Sequence, residues 1–417
     1  MLHRCSSKYF VRAFVTQTAS TTTTKRSLYN ARVHQSIASS AASGDTTTTL
    51  QSTRFSDFAT TYQNSTMAEE VEMEMANNQN PLIPDDEMRK QDYEERTAQS
   101  DFPLEMTDDE RYLFDLNGYI VIRSVLTSEE VAKANAIIDK HEHEMVERSD
   151  DALRNAKEGT KLYGTGPGRK DLGGVLEWGA EESRIFQSIL AHPRLVPLFH
   201  GILGKGYRMD HLPFVLAQDY GAEGFQLHGG TIDCGSGEYN PHLAYNCYQS
   251  TIRCALLGCN VILSDHNAGD GGFCVVPGSH KSNFKMPDGM RDGEIYEEFI
   301  RQPVTRAGDV VLFSEGTVHG AMAWTPKDRQ RRTCLYRFAP ATHAYGRSYF
   351  GHGSGGTGWP EKMYEGLTPA ERAVLEPPYA NRLDRPNIVE KDASVTITSR
   401  SDRKRQHDQQ VFGTKYF

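Results

Sequence analysis

The chain has 417 residues, of which 38% are hydrophobic and 24% charged, a composition that suits a folded protein with a sizeable core. No segment approaches the 18 uninterrupted apolar residues of a membrane-spanning helix. The formal net charge of −9 is concentrated, because residues 67–110 hold 15 acidic and three basic side chains. The remainder is close to neutral, which argues against the clustered basic face of a nucleic-acid-binding protein.

The N-terminal segment has the composition of a targeting sequence. Residues 1–44 contain six Lys or Arg and no acid, and they are rich in Ser, Thr and Ala. This pattern is typical of a transit peptide. It predicts a disordered leader for mitochondrial import, with a plastid or the cytoplasm as alternatives. Residues 45–104, acidic from residue 67, are predicted to form a disordered linker, since so few apolar side chains cannot offset the entropy cost of ordering.

The folded part is predicted to begin with helices and to continue with strands. Helix starts are indicated at Thr107 and Thr127, each with Glu three residues later. Beyond residue 200, short apolar and β-branched runs alternate with Gly, Pro, Asn and Asp. Many strands with few helices between them favour an antiparallel barrel or sandwich. The predicted strand segments are 207–219, 252–264, 273–276, 308–313 and 333–339. We expect one domain over 105–345 and, over 346–417, an extension that packs on it and ends in a polar tail.

The cysteines indicate free thiols. There are seven, an odd number, and none forms a Cys-x-x-Cys pair. A disulfide framework or a structural zinc site needs more regular spacing. Buried free thiols in a reducing compartment are therefore the prediction.

Two histidines are candidate metal ligands. His228 ends one predicted strand, and His319 follows another, 91 residues later. Neutral imidazole is a good ligand for ferrous iron, and a site with two His and open positions suits oxygen activation. Only folding can bring the two side chains together, so the sequence alone leaves structural roles open for each.

Two phrases resemble the phytanoyl-CoA dioxygenase family. The run from Gly269 to Lys281 (GDGGFCVVPGSHK) is similar to the turn-strand-turn signature of that family, and the run from Phe114 to Val121 (FDLNGYIV) is similar to its first helix and strand. The likeness extends over about 106–340. It implies a mainly β fold with flanking α-helices, built on a double-stranded β-helix (jelly-roll, cupin-like) core.

The resemblance also implies a site. In this family a His-x-Asp pair and a later His hold iron, and an Arg about 11 residues beyond binds 2-oxoglutarate. The histidines correspond to His228 and His319, and the arginine to Arg331, 12 residues after His319, with Arg332 as the second choice. Bidentate pairing suits a guanidinium to this role. Asn246, on a following strand, is a further candidate for a hydrogen bond to 2-oxoglutarate.

The chain departs from the family where the acid should stand. The residue two after His228 is Gly230. Asp233 is the candidate third metal ligand. Alternatively, water or a halide fills the position, as a glycine or alanine there resembles the iron-dependent halogenases. A site that binds no iron is the third possibility. An anionic group is favoured, because Fe(II) needs charge compensation.

The implied activity is that of an Fe(II)- and 2-oxoglutarate-dependent dioxygenase. It would use O2 to hydroxylate an unidentified small organic or lipid-like substrate, with release of succinate and CO2. A halogenase-like variant and a catalytically inactive binding protein of the same fold are the alternatives. We predict a small-molecule substrate and no nucleic-acid partner, and the oligomeric state is left open.

Overall fold

The computed structural model describes residues 103–148, 154–346, 358–378, 387–391, 394–398, 406–407 and 409–411. The predicted leader, and all but the last two residues of the predicted linker, lie outside these ranges. Both remain predictions, as does the targeting that depends on the leader. Within the described residues, no helix combines the length and apolarity needed to cross a membrane.

Both predicted helix starts are present at the N-terminal end of the domain. Helix α1 (Asp108–Asn117) begins after Thr107, whose hydroxyl accepts a hydrogen bond from the Glu110 amide while the Glu110 carboxylate accepts one from the Thr107 amide. Thr127 caps helix α2 (Ser128–Lys140) in the same way. Each box satisfies two amides that the first turn leaves without partners. Strand β1 (Tyr119–Ile122) lies between the helices.

The rest of the domain is mostly strands. The helices after α2 are α3 (Ala180–Ser188), α4 (Val196–Leu203), α5 (Asp288–Arg291) and α6 (Pro369–Val374). The strands after β1 are β2 (Val146–Glu147), β3 (Lys170–Leu172), β4 (Arg208–Gln218), β5 (Phe225–His228), β6 (Tyr245–Tyr248), β7 (Thr251–Cys254), β8 (Leu257–Ile262), β9 (Gly272–Val275), β10 (Val310–Ser314), β11 (His319–Met322), β12 (Arg331–Ala339), β13 (Asn387–Lys391) and β14 (Ser394–Thr398).

These strands form two sheets that face each other, and two separate hairpins. The large sheet has the order β1-β10-β8-β12-β4-β3-β2, and the small sheet has the order β5-β11-β9. Their strand pairs are antiparallel. A buried cluster joins Val311 and Phe313 of the large sheet to Phe273 and Val275 of the small one. The mainly β class and the double-stranded β-helix core are confirmed. In the described part of the chain the sheets do not pair edge to edge, so the core is an open sandwich and not a closed barrel.

Strand β12 separates the helical layer from the space between the sheets. Phe338 contacts Phe199 of α4, with ring centroids 4.6 Å apart, and the Tyr336 hydroxyl donates to the Phe186 carbonyl of α3 at 2.9 Å. Arg331 and Arg337 of the same strand line a cavity between the sheets. Side chains alternate between the two faces of a strand, so β12 anchors the helices with one face and presents arginines with the other.

Candidate active site

His228 and His319 face each other at one end of the small sheet. They are directly opposed residues of the antiparallel strands β5 and β11, and their ring centroids are 4.3 Å apart. Opposed residues of neighbouring antiparallel strands place their side chains on the same side of the sheet. The structure therefore brings together two imidazoles that are 91 residues apart in the sequence.

Both imidazoles are held in one tautomer by the backbone. Nδ1 of His228 lies 3.0 Å from the Gln226 carbonyl oxygen, and Nδ1 of His319 lies 2.8 Å from the Thr317 carbonyl oxygen. A carbonyl oxygen can only accept, so each Nδ1 carries the proton and each Nε2 keeps a lone pair. Burial lowers the pKa of His228 to about 3 and also lowers the pKa of His319. Neutral imidazoles with an anchored Nδ1 are the form that binds metals.

Glu315 is a buried acid of this site that the sequence analysis missed. It follows strand β10, and its side chain is 6% exposed. Oε2 lies 3.4 Å from Nε2 of His319, and Oε1 accepts a hydrogen bond from Nε of Arg337 at 2.5 Å. Burial alone would raise the pKa of Glu315, but the adjacent Arg337 guanidinium lowers it to about 2. The sequence does show an acid four residues before the second histidine. It was missed because the His-x-acid pattern includes only acids that follow a histidine.

The loop after His228 does not bring an acid to the histidines. Gly230 has a φ of +107°, and a Cβ on it would lie 2.4 Å from the Ile232 carbonyl oxygen. The Asp233 carboxylate accepts hydrogen bonds from the amides of Gly235 and Ser236, at 3.1 and 2.7 Å. Among the described residues, no group of three or more His, Cys, Asp or Glu side chains is arranged to hold a metal ion. Asp233 therefore caps its own loop and is not grouped with His228 and His319.

The backbone at Gly230 makes a side chain there costly. We expect Gly230→Ala to lower the free energy of unfolding by about 1–3 kcal/mol more than Gly159→Ala does, because the new methyl group meets backbone. Gly159 is the matched control: its φ is +83°, and a Cβ on it would have no atom within 4 Å. Gly159→Ala should lower the free energy of unfolding by only the roughly 1–2 kcal/mol that a left-handed backbone conformation costs a non-glycine residue. Urea unfolding measures both losses, and equal losses would contradict this view of the loop.

Arg331 is a buried cation without a carboxylate partner in the described residues. It is 2% exposed. Its Nη1 donates to Oε1 of Gln218 at 2.6 Å, and its Nε has no partner. Burial, together with the nearby Arg169 guanidinium, lowers the pKa of Arg331 to about 9. A Cβ on Gly272 would lie 2.7 Å from Arg331 Nε, so the glycine that begins β9 makes room for this guanidinium.

The cavity between the sheets contains the histidines and Arg331. Its volume is about 280 Å³, and its walls combine arginines with the apolar side chains of both sheets. Three further arginines line it: Arg148, Arg169 and Arg337. Arg148 and Arg169 share the carboxylate of Asp171, at 2.9 and 2.8 Å, and Glu315 pairs with Arg337. Four guanidiniums thus face two carboxylates, which gives the cavity a positive potential that favours anions.

Two predicted candidates lie elsewhere. Nη1 of Arg332 is 2.6 Å from the carboxylate of Asp139 in α2, so this side chain points to the helical face of β12. Asn246 is exposed on the β6–β7 hairpin. Neither residue lines the cavity, and the structure does not bring them together with the histidine pair.

The chain was compared with protein-family models and with curated proteins. The family model of phytanoyl-CoA dioxygenase (PhyH) matches residues 114–333. No curated protein matches the chain.

Solved structures with a similar fold include three proteins. HygX from Streptomyces hygroscopicus, solved with nickel and 2-oxoglutarate bound, is 20% identical, with a TM-score of 0.45 over 56% of this chain and 87% of its own. The epimerase SnoN from nogalamycin biosynthesis is 20% identical, with a TM-score of 0.39 over 56% and 82%. EctD from S. alaskensis, solved with 2-oxoglutarate and 5-hydroxyectoine, is 17% identical, with a TM-score of 0.39 over 57% and 77%.

Proposed function

The chain belongs to the phytanoyl-CoA dioxygenase family, and on that premise we propose that it is an Fe(II)- and 2-oxoglutarate-dependent dioxygenase that hydroxylates a small organic substrate. The observation that carries the proposal is the presence, in one cavity, of two opposed neutral imidazoles and a buried guanidinium that has no carboxylate partner among the described residues. In the proposed reaction, the substrate gains one oxygen atom of O2. The other enters succinate as 2-oxoglutarate loses CO2. The four-electron reduction of O2 is balanced by two electrons from the oxidative decarboxylation of 2-oxoglutarate and two from the hydroxylation of the substrate.

The histidines fit ferrous iron. In both rings Nδ1–H donates a hydrogen bond to a backbone carbonyl oxygen, so the free lone pair is on Nε2. The tautomer is thereby fixed before an ion arrives, and the carbonyls increase the basicity of the ligating nitrogens. Iron would be held by His228 and His319 and would supply the activation of dioxygen when bound.

Arg331 fits the distal carboxylate of 2-oxoglutarate. A guanidinium that is 2% exposed, with an unpaired Nε, bears a desolvation cost that an anion with two oxygens offsets through paired hydrogen bonds. Gln218 holds one Nη in place. The remaining positive charge of the cavity favours the same dianion.

The apolar walls define the place for the substrate. Phe214 and Leu216 of β4 line the cavity together with Phe225 of β5, so both sheets contribute nonpolar surface beside the histidines. A volume of about 280 Å³ is just below the range of ligand sites, which run from roughly 300 to 1,000 Å³. After co-substrate binding, this space suits a small molecule or the reacting end of a longer one.

Succinate formation tests the proposal. Purified full-length protein with Fe(II), ascorbate, O2 and 2-oxoglutarate is expected to release succinate slowly without a substrate, because the co-substrate reaction can run uncoupled. Release should stop when a chelator removes the iron or when O2 is excluded. Absence of iron-dependent succinate, with candidate substrates present, would contradict the proposal and favour an inactive binding protein. Chloride in the assay, followed by mass spectrometry, separates hydroxylated from halogenated product.

A further inference from the structure

We propose that Glu315 supplies the carboxylate of the metal site, in place of the acid that is missing at Gly230. The inference rests on the proposed function, since it concerns the same ion. It assigns a metal ligand from a different element of the fold: the end of β10 on the large sheet, not the loop that follows β5 on the small sheet.

The first support is the orientation of the Glu315 carboxylate. Its Oε2 lies 3.4 Å from Nε2 of His319, the nitrogen that faces away from the backbone carbonyl of Thr317. With the proton on Nδ1, both atoms present lone pairs to each other and no hydrogen lies between them. Two facing acceptors repel, whereas a cation that both of them bind stabilises the arrangement.

The second support is the distance itself. Imidazole nitrogen and carboxylate oxygen bind transition metals at about 2.0–2.2 Å. Two such ligands of one ion are about 3.0 Å apart at a right angle and about 3.4 Å apart at a tetrahedral angle, from the same bond lengths. The observed 3.4 Å between Oε2 and Nε2 is within this range. Because no three His, Cys, Asp or Glu side chains of the described residues already surround one point, ion binding would still have to turn the Glu315 carboxylate or the His228 ring toward the shared ion.

The third support is that the other candidates are committed elsewhere. Asp233 accepts hydrogen bonds from two amides of its own loop, and Gly230 has no room for a side chain in its present backbone. A divalent ion in a cavity that already contains Arg337 needs an anionic ligand. Glu315 satisfies that need, and Arg337 holds its other oxygen at 2.5 Å, which fixes the side chain beside His319.

Metal titration of the ion-free full-length protein tests the inference without relying on activity. The probe is Co(II), and isothermal calorimetry gives its dissociation constant. Glu315→Gln keeps the size of the side chain and removes the charge. We expect Co(II) to bind at least about tenfold more weakly, because even a residue that only orients a metal ligand typically contributes about 10–100-fold in affinity. Asp233→Asn, the matched control, should stay within twofold of the wild type. Equal affinity for wild type and Glu315→Gln would overturn the inference.

A second pair of variants keeps the test valid if Glu315→Gln alone fails to fold. Replacing both members of a buried ion pair avoids an unpaired buried charge, so Glu315→Gln with Arg337→Gln is compared with Arg337→Gln alone. The double variant should bind Co(II) at least about tenfold more weakly than the single one, and a smaller difference would overturn the assignment. If wild-type protein binds no Co(II), the proposed function fails as well. If all variants bind equally well, only the Glu315 assignment fails.

Discussion

Replacing Arg331 with methionine is expected to weaken 2-oxoglutarate binding by at least about 30-fold. Removing one member of a buried, hydrogen-bonded charge pair costs roughly 2–5 kcal/mol, and each 1.4 kcal/mol is about a factor of ten in affinity. Arg331 is buried in the wall of the cavity with Nε unpaired, so the anionic co-substrate would be its principal partner. Calorimetry with 2-oxoglutarate on the Mn(II)-loaded protein, which avoids turnover, measures the change.

Two control variants make the Arg331 test specific. Arg332→Met removes the neighbouring arginine, which pairs with Asp139 on the helical face, and should leave 2-oxoglutarate affinity within about twofold. Arg331→Lys keeps the charge but loses bidentate geometry, so an intermediate loss is expected. The urea midpoint of Arg331→Met should not fall by much, because a poorly paired buried cation is removed. Unchanged 2-oxoglutarate affinity in Arg331→Met would contradict its assigned role.

Replacing His319 with alanine is expected to weaken metal binding about 100-fold and to abolish iron-dependent succinate formation. Structural zinc sites with four ligands bind with roughly 10–16 kcal/mol, or about 3 kcal/mol for each ligand, which corresponds to about two orders of magnitude. His319 is 4% exposed and stands opposite His228, so the substitution removes one of the two imidazoles that would hold the ion. Co(II) calorimetry and succinate assays provide the two readouts.

His280 is a suitable control for the loss of a buried imidazole. It is 1% exposed, but its Nε2 bonds to the Asp115 carbonyl at 2.9 Å and it does not line the cavity. Protein carrying His280→Ala, once shown to be folded by circular dichroism, should bind Co(II) with the wild-type stoichiometry. If His319→Ala binds Co(II) as tightly as this control, His319 is not a metal ligand.

The sequence predicted those features that depend on local chemistry or on strand alternation. Thr107 and Thr127 cap helices because a hydroxyl and a carboxylate three residues later satisfy the first amides, which requires no tertiary contact. The separation of Arg331 from Arg332 follows from the alternation of side chains along β12. The pairing of His228 with His319 could be predicted only from the family resemblance, because the register between β5 and β11 depends on the whole fold.

The carboxylate at the histidine pair could not be predicted, because it depends on two loop conformations. Sequence distance favoured Asp233, five residues after His228, but its loop turns the carboxylate onto its own amides. Glu315 is 87 residues from His228 and comes near the pair through His319, whose Nε2 lies 3.4 Å from its carboxylate. Asn246 was predicted as a candidate for a hydrogen bond to 2-oxoglutarate, but β6 and β7 form a separate hairpin where it is exposed.

Anomalous diffraction at the iron absorption edge, from crystals grown without oxygen with Fe(II) and 2-oxoglutarate, is the most direct test of a shared ion between the histidines. We predict one iron peak at about 2.0–2.2 Å from Nε2 of both His228 and His319, with the distal carboxylate of 2-oxoglutarate on Arg331. An iron peak elsewhere in the protein, or well-ordered histidines with no ion between them, would contradict this prediction.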